Sequence, residues 1–321
     1  MFNKKIFFAL FQFTSLAAFG VVPPYLQEKE SYSAALNSYT LVAITFHYNE
    51  SRFCYLKEVL QRLSTFPKAD IVIFTNTCVP EKIARIEQSS KKVFPSGIKE
   101  GSISIKSIPS IKDPFDLTWS HKELIQNDFL EEKKGYSHFL YLEDDIGLDF
   151  TNFCYFLHFR EVLRPTGLLP AFLRVEINQK GDLVATDNCE VLDFSMRKRL
   201  SYENLIFINP TSPHMGCFIL DKELAKEYVQ TDSFQKEKSK NVCPWEVRER
   251  AAMGLCFENI PYPFGCRYVV PVTQDGIGKY QNRFVCPEFS IVYHLPNTYA
   301  NDPGSKHGKI PIESLFTCLK N

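Results

Sequence analysis

Apolar positions recur along this chain with two different periods. Residues 40–48 (TLVAITFHY) form a near-continuous apolar run of strand length. The following ESRFCYLKEVLQRLSTF places Phe53, Leu56, Leu60 and Leu63 at helical spacing. The alternation repeats. DIVIFT (70–75) predicts a strand and Pro80 to Val93 a helix opened by Pro-Glu. SISIKSI (102–108) predicts an alternating strand, LTWSHKELIQNDFLEE (117–132) a helix, and HFLYLEDDI (138–146) a fourth strand. Apolar strands that alternate with helices predict an α/β domain, Rossmann-like, with a mostly parallel sheet covered by helices on both faces.

The second half is less regular. AFLRVEI (171–177) and DLVATD (182–187) flank Asn178-Gln179-Lys180-Gly181 as a hairpin. MGCFILDKELAKEYVQ reads as a strand turning into a helix, and the charged TDSFQKEKSKN (231–241) as a mobile loop. CPWEVRERAAMGL starts a helix with Pro244 at or near its first position and acids in its first turn. YVVPV and SIVYHLPN are late strands, and no internal repeat is visible.

The first residues stand apart. Lys4 and Lys5 precede an apolar run from Ile6 to Val22 that is closed by Pro23-Pro24. A basic start followed by such a run predicts a secretory signal peptide or signal-anchor over residues 1–22. Either form leaves Lys4 and Lys5 in the cytoplasm and the rest of the chain across the membrane, either luminal in the Golgi or ER as a type II protein or secreted. Residues 23–38 (PPYLQEKESYSAALNS) are polar without a clear period and read as a short stem. Residues 39–321 then form one domain.

Composition narrows the function. The 37 basic and 37 acidic residues cancel, which argues against a dedicated nucleic-acid binder; the short run Arg197-Lys198-Arg199 reads as a solvated loop. Ten cysteines suit an oxidising compartment, and none forms a Cys-x-x-Cys pair of the kind that holds structural zinc. Disulfides are expected among Cys243, Cys256, Cys266 and Cys286, with connectivity open. Asn49-Glu50-Ser51 is the one glycosylation sequon.

The chemistry centres on Glu143, Asp144 and Asp145. Three adjacent carboxylates at the end of an apolar strand repel one another, and burying them is costly without a counter-charge. In open parallel sheets ligands bind at the carboxyl ends of strands. His47-Tyr48-Asn49 and Thr75-Asn76 occupy equivalent ends, so one crevice would gather them all. Adjacent acids in such a crevice suit Mn²⁺ or Mg²⁺, hard cations that take oxygen ligands and bridge to phosphate.

YLEDDI resembles the DXD-type EDD motif of luminal glycosyltransferases with the GT-A fold. The resemblance implies that Asp145 ligates the metal, while Glu143 and Asp144 contact the ribose, the metal's waters or the donor sugar. It implies a donor half over residues 39–150, holding a UDP- or GDP-linked sugar with His47, Tyr48, Asn49, Asn76 and Lys122. An acceptor half over 151–321 would take a glycan or glycoprotein through His214 and Trp245. Glu246 matches the family's helix-start catalytic acid, with Glu249 one turn later, and His294 matches its late metal or diphosphate ligand. If Asn49 lines the donor site, a glycan there would block it, which discounts the sequon. Two rivals use the same features. A metal-dependent phospho- or nucleotidyltransferase would normally add a glycine-rich phosphate loop, and none is present. A secreted or anchored binding protein would keep the fold without catalysis.

Overall fold

The computed structural model describes residues 22–317 except 95–99, 112, 132–133 and 276–282. The apolar run ahead of Val22 therefore lies outside the described residues, as does Cys318. Among the described residues no helix is long and apolar enough to cross a membrane.

The expected strands of the first half form one sheet. β1 (Thr40–Phe46), β2 (Ala69–Thr75), β3 (Gly101–Ser107) and β4 (His138–Glu143) are all parallel, in the order β4-β1-β2-β3. Every residue of β1 and β2 is buried, as their unbroken apolar runs require. β3 lies at the edge, and its alternation turns Ile103 and Ile105 inward. The helix Phe53–Leu63 buries Leu56, Val59, Leu60 and Leu63. The helix Pro80–Val93 opens on a proline with Glu81 in its first turn and closes on Lys91 and Lys92, complementing its dipole.

Beyond β4 the expectation of a mostly parallel sheet needs correction. Strand Cys217–Asp221 joins the first sheet antiparallel to β4, and two further sheets are mixed. One of them runs from the short β5 (Ile146–Gly147) through Ile291–His294 and Leu173–Ile177 to Leu183–Ala185, the last two forming the expected hairpin. The fold is mixed α/β, with strict parallel winding confined to the first half.

Other segments also differ from expectation. The helix Phe150–Leu163 has no signature in the apolar pattern, because it is buried nearly all round and shows no amphipathic stripe. Asp149 caps it, accepting from the Thr151 N–H at 2.9 Å. Residues 23–38 fold into helices Pro24–Gln27 and Glu30–Leu36, which bury Leu26 and Ala35; the second packs on Phe150–Leu163. The loop expected over 231–241 contains helical turns Asp232–Phe234 and Lys236–Ser239 that bury Phe234 and Ser239. Residues 117–132 break into a 3₁₀ turn (Pro114–Trp119), a short α-helix (His121–Leu124) and a π turn (Ile125–Phe129). Pro244 precedes the helix Val247–Ala251, whose N-cap is Glu246.

The expected disulfides are absent among the described residues: Cys243, Cys256, Cys266 and Cys286 are buried and free. Cys266 serves as a core hydrogen-bonding group, its thiol donating to the Tyr268 carbonyl at 3.4 Å while accepting from Asn209 at 3.4 Å.

At the amino ends of the strands one buried acid ties the sheet together. Asp70 accepts from the hydroxyls of Tyr39 (2.8 Å), Tyr136 (2.5 Å) and Ser102 (2.6 Å) and from Lys134 Nζ (2.9 Å). Burial works to raise its pKa, and these four donors outweigh burial and hold it well below its ordinary 3.8. A depressed carboxyl contributes stability that is present above its unfolded pKa and lost as pH falls through the folded value. Asp70→Asn is expected to cost about 2–4 kcal/mol at pH 7 and to flatten the loss of stability below pH 3.8. Urea denaturation at pH 7 and pH 3 checks both; equal midpoints for variant and parent at pH 7 would remove Asp70 as a tie.

Candidate active site

The carboxyl end of β4 opens into a cleft of about 580 Å³, within the range of small-molecule sites. His47, Glu143, Asp144, Asp145, His214, Glu249 and His294 all line it. Strand register explains how they meet. β5 follows the acids immediately and pairs with Ile291–His294, setting His294 opposite Ile146, and the Leu295 N–H bonds the Asp145 carbonyl at 2.9 Å. The same strand runs parallel to Leu173–Ile177 with Tyr293 opposite Val175, so the next step along brings His294 beside Glu176.

His294 Nδ1 and Glu176 Oε1 are 2.5 Å apart, and Nε2 faces Asp145 Oδ2 at 3.5 Å. Burial works to lower the His294 pKa, but Asp145 and Glu176 outweigh it and raise it. Glu176 is fully buried and also accepts the Ala300 N–H at 2.5 Å, which anchors the short helix Thr298–Asn301 on the cleft wall.

The acids are not simply solvated. Asp144 and Asp145 are 4% and 5% exposed. Arg52 forks onto Asp144 at 2.8 and 2.6 Å and reaches Asp145 Oδ2 at 2.8 Å. Asp145 Oδ1 is buried and has no hydrogen-bond partner among the described residues. Burial and the neighbouring Asp145 push Glu143 up to about 7, whereas His294 and Arg52 overcome burial at Asp145 and hold it at about 2. Arg174, buried and bound to Asp187, places a further positive charge near Glu143 and Asp145.

A glycine permits this crowding. Gly216 has φ +65°, and a Cβ there would lie 2.7 Å from Ile146 Cγ1 and 3.1 Å from Glu143 Oε2. Gly216→Ala is expected to destabilise by about 2–4 kcal/mol, from the left-handed backbone and the clash together. An unchanged denaturation midpoint would count against that reading.

On the opposite wall Glu249 is half-buried and accepts the Glu246 N–H at 2.9 Å. Glu246 itself points to solvent, its side chain 72% exposed, and does not line the cleft. His214 is buried with Nε2 unpartnered, and burial pushes it down to about 3, so its imidazole is neutral. Its ring lies 5.9 Å from that of Trp245, which lines a neighbouring cavity instead.

Four further candidates lie outside the cleft. Asn76 acts through His47, its amide donating to Nε2 at 3.1 Å while its Oδ1 accepts the Tyr48 N–H at 2.8 Å. The Tyr48 hydroxyl is taken by Glu50, and Asn49 is exposed and caps the turn Glu50–Arg52. Lys122 is buried against the rings of Trp119, Tyr228 and Phe234 and hydrogen-bonds the Tyr228 hydroxyl; burial pushes its pKa well down. A lysine enclosed by aromatic rings is not available to a phosphate in the cleft.

The sequence reading omits Arg52, Arg174 and Glu176. Arg174 and Glu176 carried a signal, charged residues at alternate positions in an otherwise apolar strand. Arg52, at the entry to a helix, carried none.

No family model matches the chain, and no curated protein matches it. Two solved structures of the glycosyltransferase GlyE from Streptococcus pneumoniae TIGR4 are similar. One is 11% identical, spans 72% of this chain and 45% of that one, and has a TM-score of 0.34. The apo form is 10% identical, spans 67% and 42%, and has a TM-score of 0.33. The chain thus matches less than half the length of either, and a likeness this distant carries no argument about activity.

Proposed function

We propose that this chain is a GT-A-like glycosyltransferase that moves a sugar from a UDP- or GDP-linked donor to a hydroxyl of a glycan or glycoprotein. One observation carries the reading. Three strand-end acids share a cleft with a histidine held from behind by a carboxylate, and one buried oxygen of Asp145 is left without a partner.

The residues fit a divalent cation. Among the described residues no group of three or more His, Cys, Asp or Glu is arranged to hold a metal unaided. Asp145 and His294 Nε2 would hold Mn²⁺ or Mg²⁺, with Glu176 orienting the ring, and donor phosphate oxygens would complete the set. Such an ion supplies neutralisation of the departing diphosphate. Around it Arg52 offsets the charge of Asp144 and Asp145, and Arg174 that of Glu143. His214, neutral and with an open Nε2, is suited to a substrate hydroxyl. Glu249 would take the acceptor's proton in an inverting reaction. The basic-then-apolar N-terminus supports a luminal place in the secretory pathway, secreted or anchored.

Arg52 supports a second reading, transfer without metal, in which the guanidinium itself turns to the diphosphate. Calorimetry with UDP and GDP, in Mn²⁺ and in EDTA, separates the two. Binding that requires the ion is expected. Binding indifferent to EDTA selects the second reading, and no binding in either condition returns the chain to a non-catalytic binding role.

A further inference from the structure

A second cavity of about 440 Å³ lies beside the cleft, separated from it by the His214–Trp245 ring pair. Its lining is aromatic and apolar where Trp245, Phe257 and Met196 contribute, and basic where Arg197 and Lys198 do. Among the described residues that line it none is acidic, in contrast to the cleft with its four carboxylates. Among the described residues neither Arg197 nor Lys198 has a carboxylate within 4.0 Å, whereas Arg199 turns away over the Phe194 ring. Hydrogen bonds tie one wall together: Asn209 donates to the carbonyls of Cys266 and Tyr268 at 3.0 and 2.8 Å and accepts the Gly265 N–H at 2.8 Å.

A cavity lined by half-buried aromatic rings and by cations that no described carboxylate pairs suits a ring-shaped ligand that bears negative charge. Sugar rings offer apolar faces to aromatic side chains, and carboxylate or sulfate groups form charge-assisted bonds with Arg and Lys. We propose that this cavity is the subsite for the distal part of an acidic saccharide acceptor, whose reacting hydroxyl reaches the cleft past His214 and Trp245. The inference rests on the transferase reading and names the class of its acceptor.

The test titrates the full chain with a uronic-acid hexasaccharide from hyaluronan and with neutral chitohexaose, followed by tryptophan fluorescence. The chain has two tryptophans. Trp245 is half-buried at the cavity, and Trp119 is buried with Nε1 bonded to the Val247 carbonyl. The acidic chain should bind roughly tenfold more tightly. R197A/K198A should abolish that preference and leave UDP binding at its original strength. Equal binding of the two chains, binding of neither, or a preference that survives R197A/K198A would overturn the assignment. Acidic-chain binding by a protein that binds no nucleotide would keep the ligand class and remove the transferase reading instead.

Discussion

Asp145→Asn is expected to abolish metal-dependent nucleotide binding, by a factor of about 100 or more, while leaving the fold intact. The side chain is nearly isosteric, and the Arg52 fork on Asp144 does not involve it. What disappears is the anion that His294 Nε2 faces, one oxygen of which is buried without a hydrogen-bond partner among the described residues. Removing one of three mutually repelling neighbouring carboxylates also relieves some of the pressure on Glu143. Loss of the contacts that Arg52 and His294 make with the Asp145 carboxylate opposes that relief, so the thermal midpoint without ligand should fall by several degrees while unfolding stays cooperative. Asp144→Asn makes the contrasting case, because it weakens the fork and leaves Arg52 dependent on Asp145. Calorimetry with UDP and Mn²⁺, paired with a thermal melt, reads both quantities. Undiminished ion-dependent affinity in Asp145→Asn would remove Asp145 as the ligand.

Glu249→Gln is expected to lower kcat about 10²- to 10⁴-fold with KM little changed, and Glu246→Gln to leave both near the parent values. The two acids sit three residues apart, and only Glu249 faces the cleft. Glutamine at 249 keeps a carbonyl for the Glu246 N–H, so the helix start at Val247 is preserved and the loss is confined to proton transfer. Steady-state transfer with a labelled donor separates the variants. The opposite ranking would return the role to Glu246, and full activity in both would point to a retaining reaction, which needs no such base.

The two halves of the chain differ in how far their sequence can be read. Through residue 143, apart from segments 23–38 and 114–129, each element has a local cause: unbroken apolar runs for β1, β2 and β4, a 3.6-residue stripe for Phe53–Leu63, and proline with an acid for the start of Pro80–Val93. Past it, most strands have only two to five residues and several pair across long sequence separations, and the interior helix Phe150–Leu163 has no polar side to mark its period. Lys122 shows the same limit at a single residue. Its position in a helical pattern suits a solvated or phosphate-binding role equally, and only the approach of Tyr228 and Phe234 from a distant segment encloses it.

Hydrophobic periodicity and strand-end polarity act over a few neighbouring residues, and they suffice to place three acids at the end of a buried strand in a parallel α/β unit. Tertiary structure alone decided what surrounds those acids. Pairing of Ile291–His294 with β5 and with Leu173–Ile177 sets His294 between Asp145 and Glu176, and Arg52 arrives from the entry to a separate helix. It also turns Glu249, and not Glu246, to the cleft. Charged side chains from four elements interact strongly only within a few ångströms and out of water, and that distance is set by register rather than by spacing along the chain.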